Sequence, residues 1–313
     1  MAELTLKTAT GNYGHTMPLK DGSVASERVA LEHVEVPVII NAFRRMIRDL
    51  EFDVSEMALS TYLCARAHGI PITALPVFLV RAFHHGSISY NVNSGIKSPT
   101  DLHGRKVGGR AYTVTTGVWT RGILATQYGV DLSKITFVIN SDEHVAAYQA
   151  PANVESVSFD RSLGDLLEAG EIDAAIGVPP SPDKGIEALI PDAEAAATKS
   201  FQDTHVLPIN HTLVVRNEHL AANPWLAGEL FSLFRSGKRQ FLSELPKMES
   251  PSGNDAIAKR LQGAIGGDPL QFGVEANRAT LEAFVQYNVD QQVIPKKVAL
   301  EEVFEPSTLA LVD

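Results

Sequence analysis

Apolar and polar positions along this chain switch repeatedly between strand-like alternation and helical spacing. Leu4 to Thr10 alternates and ends in the polar loop Gly11-Asn12-Tyr13-Gly14-His15. Ile39, Ala42, Phe43, Met46, Ile47 and Leu50 then recur at helical spacing. Glu51 to Met57 reads as a short strand running into a helix at Ser60-Thr61, whose hydroxyls suit an N-cap. Pro71 to Val80 and Ser87 to Val92 are further strands.

A second unit opens near Ser98, with a short capped turn and a strand ending at Gly108. Helices over Thr115–Tyr128 and Ser162–Ala169 alternate with strands over Ile135–Ile139 and Asp173–Val178. Pro179-Pro180-Ser181-Pro182 is a rigid loop, and His205 to Arg216 is extended again. From Pro224 the chain is mainly helical, with Trp225, Leu226, Leu230, Phe231 and Phe234 on one face. Alternating strands and helices predict an α/β chain of two lobes. One lobe takes residues 1–90 plus 214–313 and the other 91–213, with the two extended segments as crossovers. A ligand cleft is expected where strand ends of both lobes meet.

Composition fits two ordinary cores: 313 residues, 44% hydrophobic and 20% charged. A net charge of -10 argues against a nucleic-acid or anionic-membrane partner, so an anion must be captured locally. Cys64, the single cysteine, sits on an apolar helix face and reads as a buried thiol rather than a nucleophile. Met1 to Lys7 lacks a basic or apolar leader pattern and no run is long enough to span a membrane, so a cytoplasmic location is expected. P-loop, dinucleotide and nucleophile-elbow patterns are absent, as are HxH, HExxH and CxxC spacings. These patterns give no warrant for an essential metal, although His85, His211 and Glu56 could assemble one if they met in a cleft.

Several segments carry a family resemblance. Gly11-Asn12-Tyr13, Phe52 to Ser60, Pro76 to His85, Trp119 to Leu124, Pro208 to His211, Gly273 to Arg278 and Glu302-Val303-Phe304 resemble the 4,5-dihydroxyphthalate decarboxylase family. The resemblance implies a two-lobed, type II periplasmic-binding-protein-like fold with a ligand cleft between the lobes. It also implies non-oxidative, cofactor-independent loss of CO2 from a hydroxylated aromatic di- or monocarboxylate. Solute binding without catalysis, or another carboxylate-processing enzyme of the same fold, are the alternatives. Relatives often carry an Asp-Arg pair after the loop tyrosine, where this chain has Gly14-His15.

Such a reaction needs cations for carboxylates, a base for a phenol and an acid beside the ring carbon. His211, His85 and Glu56 are the candidate catalytic groups. The resemblance favours His85 over His84, with a structural histidine as the competing reading. His211 lies in the second crossover, and histidine is the side chain that ordinarily titrates nearest neutral pH. Glu56 is a base, an orienting carboxylate, or only a stabilising charge at a helix start. Candidate substrate contacts are Asn12, Tyr13, Ser60, Arg81, Thr115, Thr116, Trp119 and Arg121. Arg81 suits a bidentate carboxylate or an interlobe ion pair; Arg121 suits the second carboxylate or only caps an interlobe contact. Thr115 and Thr116 open a helix whose free amides favour an anion, and Trp119 is a core residue or an aromatic stacker. The helical tail around Trp225 is a candidate subunit contact, and a homo-oligomer is expected.

Overall fold

The computed structural model describes residues 2–313. The chain begins with β1 (Leu4–Ala9), α1 (Met17–Lys20), β2 (Val29–His33), α2 (Ile40–Asp49), β3 (Val54–Ala58), α3 (Leu59–Ala67) and β4 (Ile72–Arg81). It crosses to β5 (Ile88–Asn91), β6 (Lys106–Gly109), α4 (Thr115–Tyr128), β7 (Thr136–Ile139), β8 (Val154–Ser156), α5 (Leu163–Glu168), β9 (Ala174–Ile176), β10 (Ile186–Ala188) and α6 (Ala193–Thr204). It then returns through β11 (Ile209–Arg216) to α7 (Asn217–Ala222), α8 (Leu226–Glu244), α9 (Gly253–Ile265), α10 (Arg278–Asp290) and α11 (Leu300–Val303).

These elements build two mixed sheets, ordered β2-β1-β3-β11-β4 and β10-β5-β9-β6-β7-β8. β1 pairs in parallel with β2 and β3, whereas β11 runs antiparallel to both β3 and β4. With neighbours on both edges, β3 is buried along its whole length. β4 pairs with β11 as the last strand of the sheet and has an isolated bridge from Ala74 to Phe304, an edge position at which Pro76, lacking an amide donor, is tolerated.

The apolar period of α2 buries Ala42, Phe43, Met46 and Ile47 against the first sheet. α4 spans the residues its pattern predicts and stops at Gly129, whose φ of 67° suits a glycine cap. Other expectations need correction. β2 was not anticipated; its short segment Val29–His33 pairs with β1 alone. α3 starts at Leu59 without a side-chain cap, because the Ser60 and Thr61 hydroxyls bond residues of the second lobe instead. β11 starts at Ile209 rather than His205, because α6 runs to Thr204 and His205 caps it with a φ of 55°. No helix among the described residues is long and apolar enough to cross a membrane.

Candidate active site

Glu56 lies mid-strand in β3, facing away from water with 0% of its surface exposed. A carboxylate in such a place is costly unless its oxygens are satisfied. One oxygen, Oε2, accepts from the Gly11 amide at 2.8 Å. The other, Oε1, accepts from the Tyr13 hydroxyl at 2.7 Å and lies 2.6 Å from His211 Nδ1. Burial alone would raise the Glu56 carboxyl, but His211, the Gly11 amide and the Tyr13 hydroxyl outweigh it and hold it below its ordinary range. Burial, and then the Glu56 charge, push the Tyr13 phenol upward, so it stays a protonated donor.

The loop after β1 is shaped for these contacts. A Cβ on Gly11 would stand 2.3 Å from Cζ of Tyr13, so only glycine lets the ring fold back onto Glu56. A Cβ on Gly14 would stand 2.3 Å from the Phe241 ring of α8, and the Gly14 amide donates to Asp255 of α9 at 3.0 Å. His15 stacks on Tyr13 with ring centroids 5.2 Å apart and abuts Phe241 at 5.8 Å. Packing against α8 and α9 therefore accounts for Gly14-His15 in this chain.

His211, near the start of β11, is half-buried. Its ring meets the edge of Phe43 from α2 at 4.9 Å. With Glu56 ionised, Nδ1 is the donor of the short bond, and Nε2 makes no hydrogen bond among the described residues. His144 also packs on Phe43, with ring centroids 6.1 Å apart, and its Nδ1 meets the Thr61 hydroxyl at 3.1 Å. Burial, followed by the charges of Arg110, Arg44 and Arg48, pushes His144 down to about 3, so this ring is neutral.

Ser60 and Thr115 join the starts of α3 and α4. Their hydroxyls lie 2.9 Å apart, the Ser60 amide donates to the Thr115 hydroxyl at 3.1 Å, and Ser60 also donates to the Thr113 carbonyl. Asn12 is exposed, between Lys20 and Glu35. Thr116 and Arg121 line a cavity of about 570 Å3, together with Ile40 of the first lobe. Arg121 donates through Nε to Gln291 at 2.7 Å and through Nη2 to the Tyr112 carbonyl at 2.6 Å. Its guanidinium lies over the Tyr112 ring, leaving Nη1 toward Gly117.

Three candidates lie apart from this group. Arg81 is buried, and donates to the carbonyls of Leu207 at 3.1 Å and Gln271 at 2.7 Å and to the Asn277 side chain. A carboxylate would have to displace those acceptors. Burial pushes this guanidinium down to about 9. His85 opens a short turn rather than continuing a strand, and its Nε2 meets Gln127 at 2.8 Å. It lines a second cavity of about 290 Å3 with Trp119; Glu56 and His211 form walls of neither cavity, but Phe43, which meets the His211 ring, shares α2 with Ile40 of the 570 Å3 cavity. The separation follows from strand geometry: Asn210 and His211 are consecutive in β11 and face opposite sides. His211 turns to Glu56, whereas Asn210 meets His84 at 3.1 Å. Trp119 is a core residue, stacked 4.6 Å from Phe284 and donating to the Ile209 carbonyl at 2.9 Å.

Among the described residues no cluster of His, Cys, Asp or Glu is arranged to hold a metal ion. Burial, with the Glu143 charge second, pushes the Cys64 thiol up to about 12, which suits an inert core residue.

Sequence reasoning missed His144, Arg44 and Arg110. Arg110 directly follows β6, so the strand-end rule that selected Arg81 could have found it. Arg44 lies one turn beyond Ile40 on α2 and donates to the Asp142 carbonyl at 3.1 Å. Nothing local marks it, since the contact joins segments 98 residues apart.

Residues 50–237 match the family described as NMT1/THI5 like. The 4,5-dihydroxyphthalate decarboxylase of Comamonas testosteroni is 32% identical over 99% of this chain and 98% of its own length. That of Pseudomonas putida is 36% identical over 56% of this chain and 71% of its own. A Candida albicans gene product with the generic periplasmic binding protein fold covers 99% of both chains at 15% identity and a TM-score of 0.56. Two mixed sheets joined by crossovers share that architecture. The chain belongs to the 4,5-dihydroxyphthalate decarboxylase family, on an NMT1/THI5-like, periplasmic-binding-protein-type fold.

Proposed function

We propose that this chain is a carboxy-lyase that converts 4,5-dihydroxyphthalate to protocatechuate and CO2. The observation that carries the reading is the buried Glu56–His211 pair, with Nε2 of the histidine left without a partner among the described residues. Both curated relatives are 4,5-dihydroxyphthalate decarboxylases, which supports it.

Removing CO2 directly from an aryl carboxylate would leave an electron pair on a ring carbon that cannot hold it. A hydroxyl para to that carbon opens another route. The ring carbon takes a proton while the oxygen donates electrons; the bond to the carboxylate then breaks and its electron pair restores the aromatic ring. One proton enters the ring and one CO2 leaves. In this reading His211, protonated, delivers that proton from Nε2, and the Glu56 carboxylate stabilises the imidazolium through Nδ1. Tyr13 and Gly11 keep the carboxylate ionised and in place. The N-terminus of α4 and Nη1 of Arg121 hold a substrate carboxylate in the cavity that Ile40 lines, one turn of α2 from the Phe43 ring beside His211.

The reading includes a cytoplasmic location, with which a single buried cysteine agrees. Cell fractionation checks it. The activity itself is tested by incubating purified protein with 4,5-dihydroxyphthalate and following protocatechuate and CO2. Equimolar release is expected; tight binding without turnover would overturn the reading.

A further inference from the structure

Of the guanidiniums around the cleft, Arg81 and Arg121 are mostly committed to protein oxygens. Arg48 donates to the carbonyls of Glu143 at 2.8 Å and His144 at 3.3 Å. Arg110 differs: it lines the 570 Å3 cavity and makes no hydrogen bond or ion pair among the described residues. The carboxylate with the strongest influence on it is Glu143, already taken by the amides of Tyr112 and Thr113 and the Thr113 hydroxyl.

Arg44, from the other lobe, is near enough for its charge to act on Arg110. One Nη of Arg44 meets the Asp142 carbonyl, while its Nε is buried without a partner. Its position one turn beyond Ile40, which forms the cavity wall, puts it at the same mouth. Burial first, and the Arg44 charge second, push Arg110 below the ordinary arginine range. Two like charges in a half-buried cleft, neither with a carboxylate partner, are an unfavourable arrangement that an anion between them relieves.

We propose that Arg44 and Arg110, one from each lobe, form a receptor for two neighbouring carboxylates, which selects an aromatic ortho-dicarboxylate over a monocarboxylate. The proposal rests on the decarboxylase reading for its substrate class. Planar guanidiniums bind carboxylates in a bidentate fashion, and a pair of them, one from each lobe, matches the two charges of a phthalate-type ring edge. Arg121 Nη1 and the α4 amides add further donors on the second lobe's wall.

Phthalate is the probe, because it carries both carboxylates but has no ring hydroxyl to assist decarboxylation. Calorimetric titration compares phthalate with benzoate on the intact chain. The wild type is expected to bind phthalate more tightly, and Arg110→Gln and Arg44→Gln each to weaken phthalate about tenfold or more while moving benzoate much less. Arg110→Lys, which keeps charge but not the fork, is expected to fall between. Thermal melts of each variant report the folded state, and Arg110 has no protein hydrogen bond to lose. Equal losses for the two ligands, no loss in either variant, or a wild type without preference would each overturn the receptor. Failure of the activity reading looks different: phthalate selectivity would persist without turnover of 4,5-dihydroxyphthalate.

Discussion

Oε1 of Glu56 and Nδ1 of His211 lie 2.6 Å apart, although the two residues are 155 positions apart in the chain. Strand pairing makes the contact: β11 runs antiparallel to β3, with Leu213 opposite Glu56 and His211 opposite Ala58. The carboxylate is completely buried and the ring is not, so the pair has an inner end that is held and an outer end that can react.

Replacing Glu56 with Gln keeps the size of the side chain but removes the charge that stabilises an imidazolium. The kcat is expected to fall by roughly 10²–10⁴, the range of positioned acid–base groups, while KM changes little. Steady-state kinetics with 4,5-dihydroxyphthalate, alongside circular dichroism to confirm folding, give the answer.

Tyr13→Phe removes one of the donors that hold the Glu56 carboxyl below its ordinary range. Without it the folded-state value rises, so more acid-side pH is occupied by the protonated, inactive carboxyl. The acid limb of the kcat profile is therefore expected to move to higher pH. An unmoved limb would remove Tyr13 from the chemistry and leave it a packing residue.

His85 is bound to Gln127 beside a cavity that Glu56 and His211 do not line. His85→Ala is expected to change kcat by less than about threefold, against the loss of about 10² or more expected for His211→Ala. Comparable losses in both variants would mean that His85 takes part in the chemistry alongside the Glu56–His211 pair.

Three buried histidines make the fold acid-sensitive. Burial pushes His15 and His84 down from 6.5 to about 4, and His144 to about 3. Their folded values lie below the unfolded ones, so the unfolded chain takes up protons first as pH falls. Stability is therefore full above the unfolded value of 6.5 and is lost on going down toward about 4. From about pH 7 to about pH 5 the loss is on the order of 1–2 kcal/mol per histidine. Thermal melts across that window check it; a melting temperature that rises on acidification would contradict the buried neutral rings.

Local pattern carried most of the fold. α4 appears over Thr115–Tyr128 as its periodicity predicts, and the strand segments around Glu56 and His211 lie close to their predicted places. What local pattern could not supply was which side of a strand faces which cleft. Adjacent His84 and His85 looked like an either-or choice in a strand, but the chain turns there and both rings find polar partners away from Glu56. Arg81 follows its strand as expected, yet the C-terminal segment folds over it and supplies Asn277 and the Gln271 carbonyl. Arg44 and His144 come together only through the packing of α2 on the second lobe, which no short stretch of sequence encodes.

Arg44 and Arg48 both bond carbonyls of residues 142–144, so α2 acts as a strut from one lobe to the other at the cleft mouth. That placement bears on turnover after the chemistry is finished. A substrate with two carboxylates would neutralise the arginine pair and favour the closed arrangement, whereas a product that has lost one restores part of the repulsion between Arg44 and Arg110. Departure of CO2 would then loosen the same contact that retained the reactant, and product escape would follow from the reaction without a separate signal.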